Sequence, residues 1–92
     1  MDEFDERIRF PLRGWRKKIG LTQEQAAARF DTTEATLSRI ESGHNRPSTV
    51  LEDRICRITG LSRDEIAKPR LDREAEEAKR AGAVRHATEA GA

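Results

Sequence analysis

Cysteine occurs once in the 92 residues, as Cys56. Neither a disulfide framework nor a cysteine-rich metal site can therefore form within one chain, and this usage suits a reducing cytoplasm. No apolar run is long enough to span a bilayer and no secretory leader opens the sequence, so the chain reads as soluble, unexported and cytoplasmic. A glycine-rich phosphate loop, a nucleophile elbow and metal-ligand spacings are also missing. His44 and His86 are both read as facing solvent. The carboxylates are dispersed over helix faces, and so small a chain seldom offers a cleft. No enzyme activity, cofactor or metal is expected. There is no internal repeat and no low-complexity segment.

What is present is charge. Charged residues make up 38% of the chain and hydrophobic ones 35%, which fits one small domain with polar ends. One modest core is possible, helped by dimerisation. The net charge of +1 is unevenly spread. Residues 1–6 hold four acids, whereas residues 7–63 hold twelve Lys/Arg against six Asp/Glu. A basic middle section suits phosphate attraction, although a solvated surface gives the same count.

The punctuation predicts five short helices between residues 11 and 68. Pro11 fits a first helical position, Leu12, Trp15 and Ile19 share a face, and Gly20 ends the first helix. Thr22 and Gln25 form a capping box for the second, which turns Ala26, Ala27 and Phe30 inward. Thr33 caps the third, whose only large apolar residues are Leu37 and Ile40, and Gly43 closes it. Ser48 caps a fourth with a stripe of Leu51, Ile55 and Ile58, ending at Gly60. Ser62 and Glu65 start a fifth that stops before Pro69. Residues 1–10 read as an extended arm, because RIRF alternates like a strand. Residues 69–92 read as an Ala- and charge-rich tail, frayed or else a dimer-contacting helix built on Leu71, Ala75 and Ala78. Trp15 reads as core, and Cys56 as a half-buried small apolar residue.

Residues Gln23 to Ser42 form a helix, a tight turn at Asp31-Thr32 and a second helix, the helix-turn-helix arrangement. Ala27 sits at the fifth position, where the two helices cross and a large side chain would force them apart. Leu37 and Ile40 anchor the second helix and leave its other face free. A helix about 10–12 Å wide fits the major groove of B-DNA, ≈ 12 Å across. Arg39 suits guanine O6 and N7, Glu34 a cytosine amine, and Ala35 a thymine methyl. Thr36 completes the base-reading set. Phosphate contacts fall to Gln23, Thr33, Ser38, Ser42, Asn45 and Arg46. Thr36 and Ser38 also read as plain polar surface. Arg13, Lys17 and Lys18 read equally as phosphate contacts or a solvated helix face.

The combination GLTQEQAA, TTEATLSRIESG and RPS before a further helix resembles the lambda-repressor/Cro-like (XRE) family of helix-turn-helix proteins, over about residues 11–67. The resemblance implies an all-α, five-helix bundle whose third helix enters the major groove of double-stranded DNA, as a homodimer on a near-palindromic operator. It also implies an ion pair, Arg16 with Glu41, tying the first helix to the third. The chain departs from the family at Asp31, where glycine is usual, and at Ala26 and Trp15, whose volumes compensate. Glu34, an acid facing DNA, also departs. The function implied is a transcriptional repressor without a second sensory domain. The alternatives are an antitoxin, with residues 1–10 or 70–92 binding a toxin, and a restriction–modification controller.

Overall fold

The computed structural model describes residues 8–91, with side chains described as far as Ala81. Among the described residues, after a helical stretch that ends at Arg9, five helices follow in order: α1 Pro11–Lys18, α2 Gln23–Arg29, α3 Glu34–Glu41, α4 Thr49–Thr59 and α5 Arg63–Gly91. Among the described residues there is no strand.

Local chemistry sets most boundaries. Pro11 opens α1, where its missing N–H is no loss. Thr22 accepts from the Gln25 N–H at 3.1 Å while the Gln25 side chain accepts from the Thr22 N–H at 2.9 Å, closing the capping box. Ser48 caps α4 by accepting from the Leu51 N–H, and Ser62 pairs reciprocally with Glu65 at the start of α5. Gly60 leaves α4 at φ +78°, a left-handed conformation that favours glycine.

The core is Leu12, Ala26, Ala27, Phe30, Leu37, Ile40, Leu51, Ile55 and Ile66, with Trp15, Leu21, Cys56 and Leu61 packed against it. Trp15 meets Phe30 with ring centroids 5.7 Å apart. Two residues assigned to buried stripes lie outside this core. Ile19 is 47% exposed, because it is the C-cap of α1, where the chain has left helical geometry, and Leu21 packs inward instead. Ile58 is 42% exposed, because Thr59 holds the position four residues after Ile55. The Thr59 hydroxyl donates to the Ile55 carbonyl and accepts from the Leu61 N–H, which turns Leu61 onto the core.

Both ends of the bundle differ from the sequence reading. Ile8 and Arg9 are helical rather than extended; residues 1–7 of the expected arm lie outside the described residues. The last helix does not stop before Pro69. It continues to Gly91 with Pro69 inside it. Proline deletes one helical hydrogen bond and crowds the carbonyl four residues back. Here Pro69 is buried against the turn at Gly43, and on either side Lys68–Asp72 and Arg70–Glu74 ion pairs brace the helix at i,i+4 spacing. Ala-rich sequence beyond it favours helix as well. Residues 71–81 are exposed throughout, and Asp72, Arg73 and Glu76 line a shallow groove with Arg9, Phe10 and Ser42. His86 lies outside the described side chains.

Candidate nucleic-acid interface

The candidate interface is built by α2, the turn after it, and α3. Phe30 ends α2, and Asp31 takes φ +55°. This is a left-handed conformation that aspartate tolerates better than most side chains. Arg54 of α4 braces the turn: its Nη1 donates to the Phe30 carbonyl at 3.0 Å and lies 3.9 Å from the Asp31 carboxylate. Thr33 caps α3, accepting from the Thr36 N–H at 3.1 Å and donating to the Thr36 hydroxyl at 2.9 Å. Helix α3 therefore starts at a fixed place and direction.

Its inner face buries Leu37, Ile40 and Glu41. Its outer face exposes Glu34, Ala35 and Arg39 together, with Thr36 and Ser38 half-buried at the edges. Docking by only two large apolar residues leaves the rest of a short helix turned to solvent. Thr33 lies at the near end of this face; Asn45 and Arg46 lie exposed in the loop beyond the far end. The Arg39 carbonyl accepts from the N–H groups of His44 and Asn45, so that loop is tied to α3.

Four side chains expected to meet nucleic acid are engaged within the protein, Thr33 among them as the cap of α3. The Thr36 hydroxyl is held by Thr33. The Ser42 hydroxyl donates to the Ser38 carbonyl at 2.9 Å and lies 2.7 Å from His44 Nδ1. Gln23 donates its Nε2 to Glu41 Oε1 at 3.1 Å, which fixes its amide and leaves one N–H of that nitrogen uncommitted.

Glu41 is the hub of the arrangement. Arg16 Nε donates to its Oε2 at 2.7 Å and Arg16 Nη2 to its Oε1 at 3.0 Å, while Arg16 Nη1 donates to the Leu21 carbonyl at 3.1 Å. Sequence reasoning, which read Arg13 as a phosphate contact or a solvated helix face, placed neither it nor Arg54 in this arrangement. Arg13 brings its Nε to 3.7 Å from Glu41 Oε1 and stacks over the Phe10 ring at 4.5 Å. Its place one turn before Arg16 was the available signal. Arg54, the brace of the turn, gave none, because its partner is a backbone carbonyl.

Cys56 lies away from this face, half-buried beside Asp53, Arg57 and Arg63, and burial pushes its thiol up. Among the described residues no helix is long and apolar enough to cross a membrane.

A family model described as a helix-turn-helix domain matches residues 10–68. A protein of Methanothermobacter thermautotrophicus, described as an uncharacterized HTH-type transcriptional regulator, is 42% identical over 53 residues, which is 58% of this chain and 77% of the relative. No solved structure matches.

Proposed function

Because this chain belongs to the helix-turn-helix domain family, whose similar member is described as a transcriptional regulator, we propose that it is a sequence-specific repressor that binds double-stranded DNA as a homodimer. Helix α3 enters the major groove, and Glu34, Ala35, Thr36 and Arg39 read base edges. Gln23, Thr33, Ser38, Ser42, Asn45 and Arg46 lie along the flanking phosphates. Two copies occupy adjacent major grooves about 34–36 Å apart on a near-palindromic operator and exclude polymerase. The setting is the bacterial cytoplasm, at the nucleoid when bound.

One observation carries this reading: Glu34, Ala35 and Arg39 are exposed on one face, while Leu37 and Ile40 on the other are fully docked in the core. Unbiased selection of duplexes from a random pool at fixed salt tests it. A logo of two inverted half-sites is the expected result. Binding without sequence preference overturns the base-reading role, and a single half-site overturns the dimer.

A second reading has its own support in α5, whose residues 71–81 stand exposed and offer a partner a free helix. The chain would then be an antitoxin that also regulates its own operon. Co-purification of a stoichiometric toxin supports it; a chain that purifies alone from its native host counts against it.

A further inference from the structure

Between Arg9 and Lys18 the chain carries five cations and no acid: Arg9, Arg13, Arg16, Lys17 and Lys18. Arg16 is committed inward, with two nitrogens on the Glu41 carboxylate and the third on the Leu21 carbonyl. That pairing alone neutralises Glu41. Arg13, 3.7 Å from the same carboxylate, therefore leaves the cluster with one formal positive charge. Arg13 and Lys17 stand one turn apart on α1 and share a face, with Lys18 exposed beside them and Arg9 exposed at the foot of the helix. The result is a cationic ridge along α1. It borders the Gln23–Glu41 contact at the edge of the candidate interface.

The segment that precedes the ridge has the opposite charge. Residues 1–6, which lie outside the described residues, hold Asp2, Glu3, Asp5 and Glu6 and no base. The chain enters α1 against the ridge itself: the Phe10 carbonyl accepts from the Gly14 N–H at 2.9 Å, and the Phe10 ring lies under the Arg13 guanidinium at 4.5 Å. Each extended residue covers about 3.3–3.6 Å, whereas Arg13 and Lys17 are separated by about 6 Å along the axis. The acidic segment is therefore long enough to reach back over both. Its tether gives it an effective concentration on the order of millimolar at the ridge. Charge, reach and point of attachment agree.

We propose that the acidic segment, residues 1–6, docks on the Arg13–Lys17 ridge in the unbound protein, and that duplex DNA displaces it when α3 is seated. The inference rests on the reading of α3 as the groove-entering helix and adds an internal competitor to it. The carboxylates take the place of backbone phosphates, so the competition weakens every duplex by the same factor and leaves base preference to α3. Exposed ion pairs are screened by salt, so the competition is strongest when salt is low.

The test compares full-length proteins on the selected duplex and on a mismatched one. The first variant neutralises the segment (Asp2→Asn, Glu3→Gln, Asp5→Asn, Glu6→Gln), the second the ridge (Arg13→Gln, Lys17→Gln), and the third combines them. Neutralising the segment should tighten both duplexes equally, by roughly two- to tenfold at about 50 mM salt, and the gain should shrink by about 200 mM. In the ridge variant the same change should bring little gain, because the docking surface is gone. Equal gains in the two backgrounds would mean that the acids act through net charge alone, which overturns the proposal. If the ridge variant does not fold, a nitroxide on Phe4→Cys in a Cys56→Ala background decides. It should broaden the amide signals of Arg13 and Lys17 most strongly in the unbound protein, and duplex should reverse this. Broadening spread evenly over the bundle, or unchanged by duplex, overturns the proposal. Wild-type protein that selects no duplex refutes the groove-entering reading and the displacement with it, while the label in the unbound protein still decides the docking.

Discussion

Arg16 of α1 and Glu41 of α3 are joined by two charge-assisted hydrogen bonds, at 2.7 and 3.0 Å, around a carboxylate with no solvent exposure. The first helix is thereby fixed to the far end of the helix that carries Arg39. Glu41→Ala leaves the Arg16 charge largely buried without its partner, and a loss of roughly 3–5 kcal/mol is expected. Urea denaturation measures it. A double variant, Arg16→Met with Glu41→Leu, should recover most of that loss, since apolar replacement of a buried pair is often neutral. If the double variant is no more stable than the single one, the bundle needs the pair for more than charge compensation.

The turn offers a separate stability test. Asp31 is the one non-glycine residue at positive φ among those described. Left-handed geometry costs an ordinary side chain about 1–2 kcal/mol. Asp31→Gly should therefore be more stable than Asp31→Ala by about 1 kcal/mol, and Asp31→Val should be the least stable of the three. Equal melting temperatures for the glycine and alanine variants would show that the turn relaxes away from φ +55°.

Gly20 and Gly43 form an internally controlled pair. Both are left-handed, at φ +77° and +83°. A Cβ on Gly20 meets nothing within 4 Å, whereas one on Gly43 would lie 2.6 Å from the Pro69 carbonyl carbon and oxygen. Gly20→Ala should show the strain alone, about 1–2 kcal/mol. Gly43→Ala should add roughly 1–3 kcal/mol for a backbone that cannot swing aside. Matching losses in denaturation would mean that α5 separates readily from the end of α3.

On DNA, Arg39→Ala should cost roughly 1–3 kcal/mol on the selected site and relax preference at one base position. A loss that is equal on all sequences would make Arg39 a phosphate contact instead. Glu34→Gln should alter the preferred base more than it lowers affinity, and an unchanged logo would remove Glu34 from the reading set.

Burial raises the Cys56 thiol above its ordinary value. The unfolded chain therefore ionises first as pH rises. The thiol's contribution to stability is complete below the usual thiol pKa of about 8.5 and declines as pH climbs past it toward the raised value. Wild type should lose stability relative to Cys56→Ala on going from about pH 8 to about pH 10. Alkylation of the folded chain at about pH 8 should also be slower than that of the unfolded chain. A pH-independent difference would contradict the raised thiol.

Legibility followed locality. Thr22, Thr33, Ser48 and Ser62 act on backbone groups three residues away, so their spacing in the sequence places the helix starts. The inner face of α3 is equally plain, because only Leu37 and Ile40 are large and apolar there. What stayed hidden depends on partners distant in sequence. Pro69 reads as a helix stop from its own chemistry, but its seat on Gly43, twenty-six positions earlier, cannot be read locally. Ile19 and Ile58 fit a periodic stripe and lie at its frayed ends, where a C-cap and a threonine hydroxyl redirect the chain. The engagement of Gln23 by Glu41 is invisible for the same reason.

Helix α5 is exposed from Leu71 to Ala81, and the turns that follow the groove it shares with the bundle at Asp72, Arg73 and Glu76 behave as a spacer whose phase is counted in residues. Adding or deleting one amino acid there would leave the bundle's packing untouched. It would, however, turn whatever the helix carries by about 100° and shift it about 1.5 Å along the axis. Changes in the length of this segment would therefore act as changes of azimuth, adjustable without any alteration to the exposed face of α3.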